Sequence, residues 1–175
     1  MKEEKIVRKL KQGDLKAFRM LVELYKRKVY TIAYDILKIH EDAEDISQEV
    51  FLKVYHSIKN FRGESKLSSW IYRITVNLSL NHKRKMKKIV FKEIDEEIIN
   101  NNPDSLRFEL SDKIEKALDT LTERQRITFV LKHYHQLTVM EIADIMGCSK
   151  GTIKSQLFRT LKKLQKALID YKFEY

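Results

Sequence analysis

Five polar residues near the C-terminus, Lys150, Thr152, Lys154, Ser155 and Arg159, share one face of a stretch with helical spacing. Hydroxyls set among cations on one helix suit DNA. The cations neutralise phosphates and release condensed counterions, while residues near the helix start reach base edges. Around them, Ile142, Ala143, Met146, Gly147, Cys148, Ile153 and Leu157 stand where a helix-turn-helix needs small, turning and apolar positions. Ala143 is small where the second helix must cross, and Gly147 supplies a left-handed turn. Cys148 and Ile153 fill the wedge, and Ser149 can cap the second helix, which should continue inward with Leu157, Leu161, Leu164 and Leu168. Gln156 stands where many such motifs are apolar, so Leu157 is expected to take over that packing. The competing reading is a corner of two helices with a charged outer face. Spacing and cation placement together favour DNA.

Two further constellations lie upstream. Asp45, Gln48, Glu49 and Leu52 share a helix face at three- and four-residue spacing, an acidic patch inside a basic segment. Read from spacing alone, a solvated face accounts for it better than a docking surface. Arg73, Asn77, Asn81 and Arg84 align along the next helix, after the polar loop Asn60-Phe61-Arg62-Gly63-Glu64-Ser65-Lys66. Such groups suit unstacked bases, but a polar surface stripe fits the spacing as well, and Trp70 is more often core than a stacking platform. Catalysis has no comparable set. There is no phosphate-binding glycine loop, nucleophile elbow or paired His/carboxylate metal set. His133 and His135, two apart on an expected helix, point to different sides and cannot share a metal. The single cysteine, Cys148, reads as a small buried residue of the wedge and fits a reducing cytoplasm. The expectation is a non-enzyme with no cofactor, no metal and no small-molecule substrate.

The elements that must position these residues are helices. Only 4 Gly and 1 Pro occur in 175 residues, and helical spacing recurs almost throughout. The expected fold is all-α: two small helical domains joined by an acidic flexible linker, the second domain a helix-turn-helix. Helices are expected over residues 3–10, from Asp14 as N-cap, over 41–57 and over 68–85. The fourth ends in the basic run Lys83-Arg84-Lys85-Met86-Lys87-Lys88. The one break in composition, Asn100-Asn101-Asn102-Pro103-Asp104-Ser105, marks the linker, giving domains at 1–88 and 112–175 around a tether at 89–111. Thr122 with Gln125, and Thr138 with Glu141, have the capping-box form and should each open a helix.

Charge follows the same division. Residues 1–92 hold 22 Lys/Arg against 11 Asp/Glu, residues 93–112 hold 1 against 7, and residues 113–175 hold 12 against 7. Two basic blocks flank an acidic strap, as a polyanion partner requires, although a Lys-rich solvated protein would share the totals. No apolar run is long enough to cross a bilayer, and the charged N-terminus leads into no signal-peptide core, so the expected location is cytoplasmic. A C-terminal domain of this size is marginal alone, and support from a partner is expected.

Five stretches in order resemble the sigma-70 family of transcription initiation factors, in its extracytoplasmic-function (ECF) form. They are Asp42-Ala43-Glu44-Asp45-Ile46-Ser47-Gln48-Glu49-Val50-Phe51-Leu52, Phe61-Arg62-Gly63-Glu64-Ser65 and Trp70-Ile71-Tyr72-Arg73-Ile74-Thr75-Val76-Asn77, then Glu141-Ile142-Ala143 and Gly151-Thr152-Ile153-Lys154-Ser155. Their order and separation cover nearly the whole chain. The resemblance implies what spacing alone does not. Asp45, Gln48, Glu49 and Leu52 would dock on the clamp helices of core RNA polymerase. The loop of residues 61–68, with Phe61, Arg62 and Ser65, would accept a flipped non-template base of the −10 element. Arg73, Asn77, Asn81 and Arg84 would line the same strand. Lys150, Thr152, Lys154, Ser155 and Arg159 would read the −35 element of promoter DNA, and the acidic linker would thread the polymerase's RNA channel. An anti-sigma factor, in some cases membrane-bound, is a further implied partner. The resemblance thus implies a factor that directs core RNA polymerase to promoters and helps melt the −10 region. A helix-turn-helix regulator with a ligand-sensing or dimerising N-terminal domain is the alternative. Two departures stand out: His135-Gln136 replaces a small, often glycine-containing turn, and Gln156 stands where many members have Arg.

Overall fold

The computed structural model describes residues 3–93 and 116–169. All regular structure there is helical: α1 (Glu3–Lys11), α2 (Leu15–Leu37), α3 (His40–Ser57), α4 (Leu67–Glu93), α5 (Glu123–His133), α6 (Val139–Met146) and α7 (Lys150–Ile169). The described helices fall into two compact units, one running up to Lys92 and also taking in Asp144–Gly147, the other holding the rest. The acidic segment and the expected domain start at Asp112 lie, from residue 94 to 115, outside the described residues.

Local chemistry sets the helix ends of the first unit. Asp14 caps α2 by accepting the Lys16 and Ala17 amides at 2.8 and 3.1 Å. Those two bonds hold its carboxylate below the ordinary range, with Ala17 the larger contributor, against a smaller opposing desolvation. At the other end of α2, Lys38 turns left-handed (φ 63°) and its N–H bonds the Tyr34 carbonyl at 2.7 Å. The chain then reverses into α3. Tyr34 stacks on His40 at one end of the pair, and Phe18 meets Tyr55 edge-on at the other, so α2 and α3 run antiparallel. Val29, Ile32, Ala33, Ala43, Ile46, Val50 and Val54 are buried, at the three- and four-residue spacing of one helix face each.

Helix α4 packs with this hairpin. Ile71 and Val76 are buried, the Tyr72 ring lies 6.1 Å edge-on from Tyr25, and His82 Nε2 stands 3.1 Å from Asp42 Oδ2. Lys83 donates to the Ile36 carbonyl at the end of α2, at 3.2 Å. Helix α4 also runs eight residues past the expected end at residue 85, to Glu93. The basic run contains good helix formers and no Gly or Pro, so nothing local stops the helix where the charges begin.

In the second unit the described residues resume with helical residues 116–119, whose Ala117 and Leu118 cluster with Leu121 and Leu164. Thr122 and Gln125 form the expected capping box at the start of α5. His133 closes α5, so His135 lies beyond it, in a turn where Gln136 adopts φ 56°. The expectation of both histidines on one helix is therefore corrected. Thr138 and Glu141 form the second box, with amide bonds of 3.0 and 3.2 Å opening α6.

Candidate nucleic-acid interface

Helices α6 and α7 build the corner that the sequence predicts. Gly147 takes φ 63°, the Cys148 N–H bonds the Ala143 carbonyl at 3.1 Å, and Ser149 Oγ accepts the Thr152 amide at 3.1 Å. Ile142 and Ile153 are fully buried at the crossing, with Ala143 close behind, while Cys148 is only half-buried. Lys150, Thr152, Lys154, Ser155 and Arg159 are all exposed on the outer side of α7. Thr152 also shares a 2.9 Å hydroxyl contact with Ser149, which ties this exposed residue to the cap.

The inward side of α7 differs from expectation. Thr160 is fully buried and Leu161 is 48% exposed. A period of 3.6 residues from Ile153 reaches 157, 160, 164 and 167, and the buried Thr160 satisfies its hydroxyl on the Gln156 carbonyl at 2.8 Å. Leu168 lies outside the side chains described. Leu157 is half-buried. The Gln156 carboxamide itself packs toward α5, where Oε1 accepts from Thr128 Oγ1 at 3.3 Å.

Two residues of this face escape sequence reasoning. Phe158, 60% exposed, sits four residues after Lys154, and Lys162 Nζ lies 4.8 Å over its ring. Arg124 at the start of α5 shares a cleft with Arg159. The first was detectable from i, i+4 spacing; the second depends on how α5 meets α7.

In the first unit, Asp45, Gln48, Glu49 and Leu52 are all exposed on α3, opposite its buried stripe. Leu52 is 61% exposed, an apolar side chain amid acids, and Tyr55 (41% exposed) extends the face one turn beyond it. Tyr55 stands seven residues from Gln48, a spacing that could have revealed it.

The loop after α3 is pinned at both ends. Phe61 is buried with its ring 5.2 Å from Trp70, and Leu67 is buried at the start of α4. Phe61 therefore anchors the loop from inside, a correction to its expected place among the DNA-facing groups. Between the anchors Gly63 takes φ 75°, Arg62 and Glu64 form an exposed pair at 3.8 Å, and Ser65 is half-buried. Along α4, Asn77, Asn81 and Arg84 are exposed and Arg73 is half-buried. Among the described residues, no group of three His, Cys, Asp or Glu could hold a metal ion.

Comparison with known proteins decides the family. The sigma-70 region 2 family matches residues 21–89, and the sigma-70 region 4 family matches residues 111–164. The ECF RNA polymerase sigma factor SigW of Bacillus subtilis is 32% identical, over 95% of this chain and 97% of that protein. The chain belongs to the ECF RNA polymerase sigma factors.

The ECF sigma-E factor of Escherichia coli K12 is likewise 32% identical, over 88% of this chain and 87% of its own length. Among solved structures, the sigma factor RpoE of Bartonella quintana, in complex with the anti-sigma factor NepR, superposes with a TM-score of 0.67 at 27% identity, over 87% of this chain and 97% of that one. CnrH, solved with the cytosolic domain of CnrY, shares the fold, with a TM-score of 0.73 at 20% identity over 97% and 98% of the two chains. As an ECF sigma factor the chain directs core RNA polymerase to specific promoters. The region 2 match occupies the segment that a sensing or dimerising domain would need, so that alternative is set aside. Among the described residues no helix is long and apolar enough to cross a membrane.

Proposed function

We propose that the two halves of this sigma factor divide promoter recognition at residues 1–88 and 112–175, with residues 89–111 as the tether through the polymerase. The α3 face of Asp45, Gln48, Glu49 and Leu52, extended by Tyr55, docks on core polymerase. The loop held by Phe61 carries Arg62 and Ser65 to the melted −10 strand, which Arg73, Asn77, Asn81 and Arg84 then follow along α4. Helix α7 reads the −35 element through Lys150, Thr152, Lys154, Ser155 and Arg159. The polymerase supplies the chemistry, so this chain is no enzyme, and it works in the cytoplasm where polymerase and DNA are found. An anti-sigma factor is its regulatory partner, a reading supported by the relative solved with NepR.

The observation that carries the docking assignment is an exposed leucine set among Asp45, Gln48 and Glu49 within a strongly basic segment. Solvation explains the acids, but it gives no reason to expose Leu52. The test is competition for core polymerase against labelled parent protein. Reversing Asp45 and Glu49 to lysine together is expected to weaken competition at least about tenfold, roughly 1.4 kcal/mol, with the helical circular dichroism unchanged. Undiminished competition would mean that the face is merely solvated.

A further inference from the structure

Helix α4 outlasts the hairpin on which it packs. The stripe that buries Tyr72, Thr75, Val76 and Ser79 continues at helical spacing to Lys83, Met86 and Lys87. Lys83 closes the end of α2 through its 3.2 Å bond to the Ile36 carbonyl, and α2 stops one residue later, at Leu37. Past that point the inner side of α4 overhangs the turn into α3 and leaves an open groove of about 400 Å³. Leu37, Ile39 and Met86 form its apolar floor, and Ile39 and Met86 are both exposed. Large apolar side chains left open at the register of the core mark an interaction surface.

The rim of the groove is cationic. Lys83 and Lys87 stand at its edge, within a run of residues 83–88 that is basic at every position except Met86. The one acid in the lining, Asp42, is turned to His82 Nε2 at 3.1 Å and leaves the rim positive. An apolar floor suits a side chain and not a phosphate backbone, which needs donors along its length. A second copy of the chain would set the same cations against each other across a two-fold contact. The chain's own acidic segment leaves α4 six residues past Lys87, about 9 Å beyond the groove, and would have to reverse to enter it. A partner that offers carboxylates around one large apolar side chain satisfies both floor and rim.

We propose that this groove docks an acidic segment of a partner protein. One large apolar side chain of that segment sits on Leu37, Ile39 and Met86, and its flanking carboxylates meet Lys83 and Lys87. The groove follows the inner stripe of α4, whereas Asn77, Asn81 and Arg84 follow the outer one, so the site is distinct from the proposed −10 surface. Its two parts respond differently to salt. Contacts between carboxylates and lysines at an open rim are screened, whereas burial of the apolar side chain is not.

The experiment uses the full chain and a labelled synthetic peptide of glutamates around a single leucine, titrated by fluorescence anisotropy across a salt series. Saturable binding is expected, weakening as salt rises and absent for the same peptide with lysines in place of glutamates. Lys87→Glu should weaken it about tenfold. Met86→Gln should weaken it about fivefold with a near-parent salt dependence. Both side chains are exposed, and unchanged circular dichroism confirms the fold. Lys11→Glu makes the same charge change before the start of α2, at the far end of that helix from the groove, and should bind as the parent does. Absence of saturable binding overturns the proposal. So does an equal loss in Lys11→Glu and Lys87→Glu with Met86→Gln unaffected, since net charge alone then attracts the peptide. Three further results reassign the groove and overturn the partner. Asp95→Asn, Glu96→Gln and Glu97→Gln together tightening peptide binding about tenfold, a gain that Met86→Gln removes, would give it to the chain's own acidic segment. Duplex DNA that displaces the peptide, and itself binds Met86→Gln less well, would give it to nucleic acid. A parent dimer that Met86→Gln dissolves in sedimentation would give it to a second copy.

Discussion

Replacing Phe61 separates an anchor from a DNA contact. Its ring is 7% exposed and meets Trp70 at a 5.2 Å centroid separation. Phe→Ala at a buried site costs about 3–5 kcal/mol. The site lies at the mouth of a loop that can partly collapse, so the low end, about 3 kcal/mol, is expected. For a unit of this size that lowers the melting temperature by more than about 10 °C. Trp70 is the only tryptophan, so its fluorescence follows the first unit without interference from the second. Phe61→Leu keeps most of the apolar volume and should cost under about 1.5 kcal/mol. The decisive comparison is promoter opening by the leucine variant in holoenzyme, read by permanganate reactivity of −10 thymines. An anchor predicts near-parent opening by the leucine variant and impaired opening by the alanine variant. A leucine variant that is folded yet opens no promoter would show that the ring stacks on a base, and the burial argument would be refuted.

Asn77→Ala should leave polymerase docking and −35 binding near parent levels but reduce open complexes on duplex promoters; opening equal to the parent would remove Asn77 from the −10 surface. A template pre-melted across −10 then tells melting from holding, since full rescue assigns Asn77 to melting alone. Gln136, at φ 56°, carries a left-handed penalty that glycine escapes. Gln136→Gly should stabilise the second unit by up to about 1 kcal/mol after the extra unfolded-state entropy of glycine, measured by urea unfolding followed by circular dichroism. Asp14, its carboxylate lowered from the ordinary 3.8 by the Ala17 and Lys16 amides, contributes stability above that value and loses it as pH falls through the lowered one. Asp14→Ala should therefore melt earlier than the parent at neutral pH, with the gap closing in acid; a gap independent of pH would contradict the cap.

The legible parts of this fold are those decided within a few residues. Asp14, Thr122, Thr138 and Ser149 each cap a helix with their own side chain, and Gly147 turns left-handed where the sequence requires it. The outward set on α7 follows from the same local period. What failed depended on partners distant in sequence. Leu161 and Thr160 differ by one position, and the packing of α7 buries the polar one against the hydrophobic preference. Phe61 reads as part of a polar loop until Trp70 covers it. Gln156 departs from the usual pattern, and only the neighbouring Thr128 explains its place. The far end of α4 carries no stop signal, so charge alone misplaced it.

The account's central claim is tested most directly by transcription in vitro from genomic DNA, using core polymerase with and without the purified chain. The 5′ ends of the transcripts are then mapped. The account predicts discrete start sites that need the chain and share a common pair of upstream elements at fixed spacing. It also predicts that those transcripts fall when α7 carries Lys154→Ala with Arg159→Ala. An unchanged transcript pattern on adding the chain, although it binds DNA by itself, would contradict it.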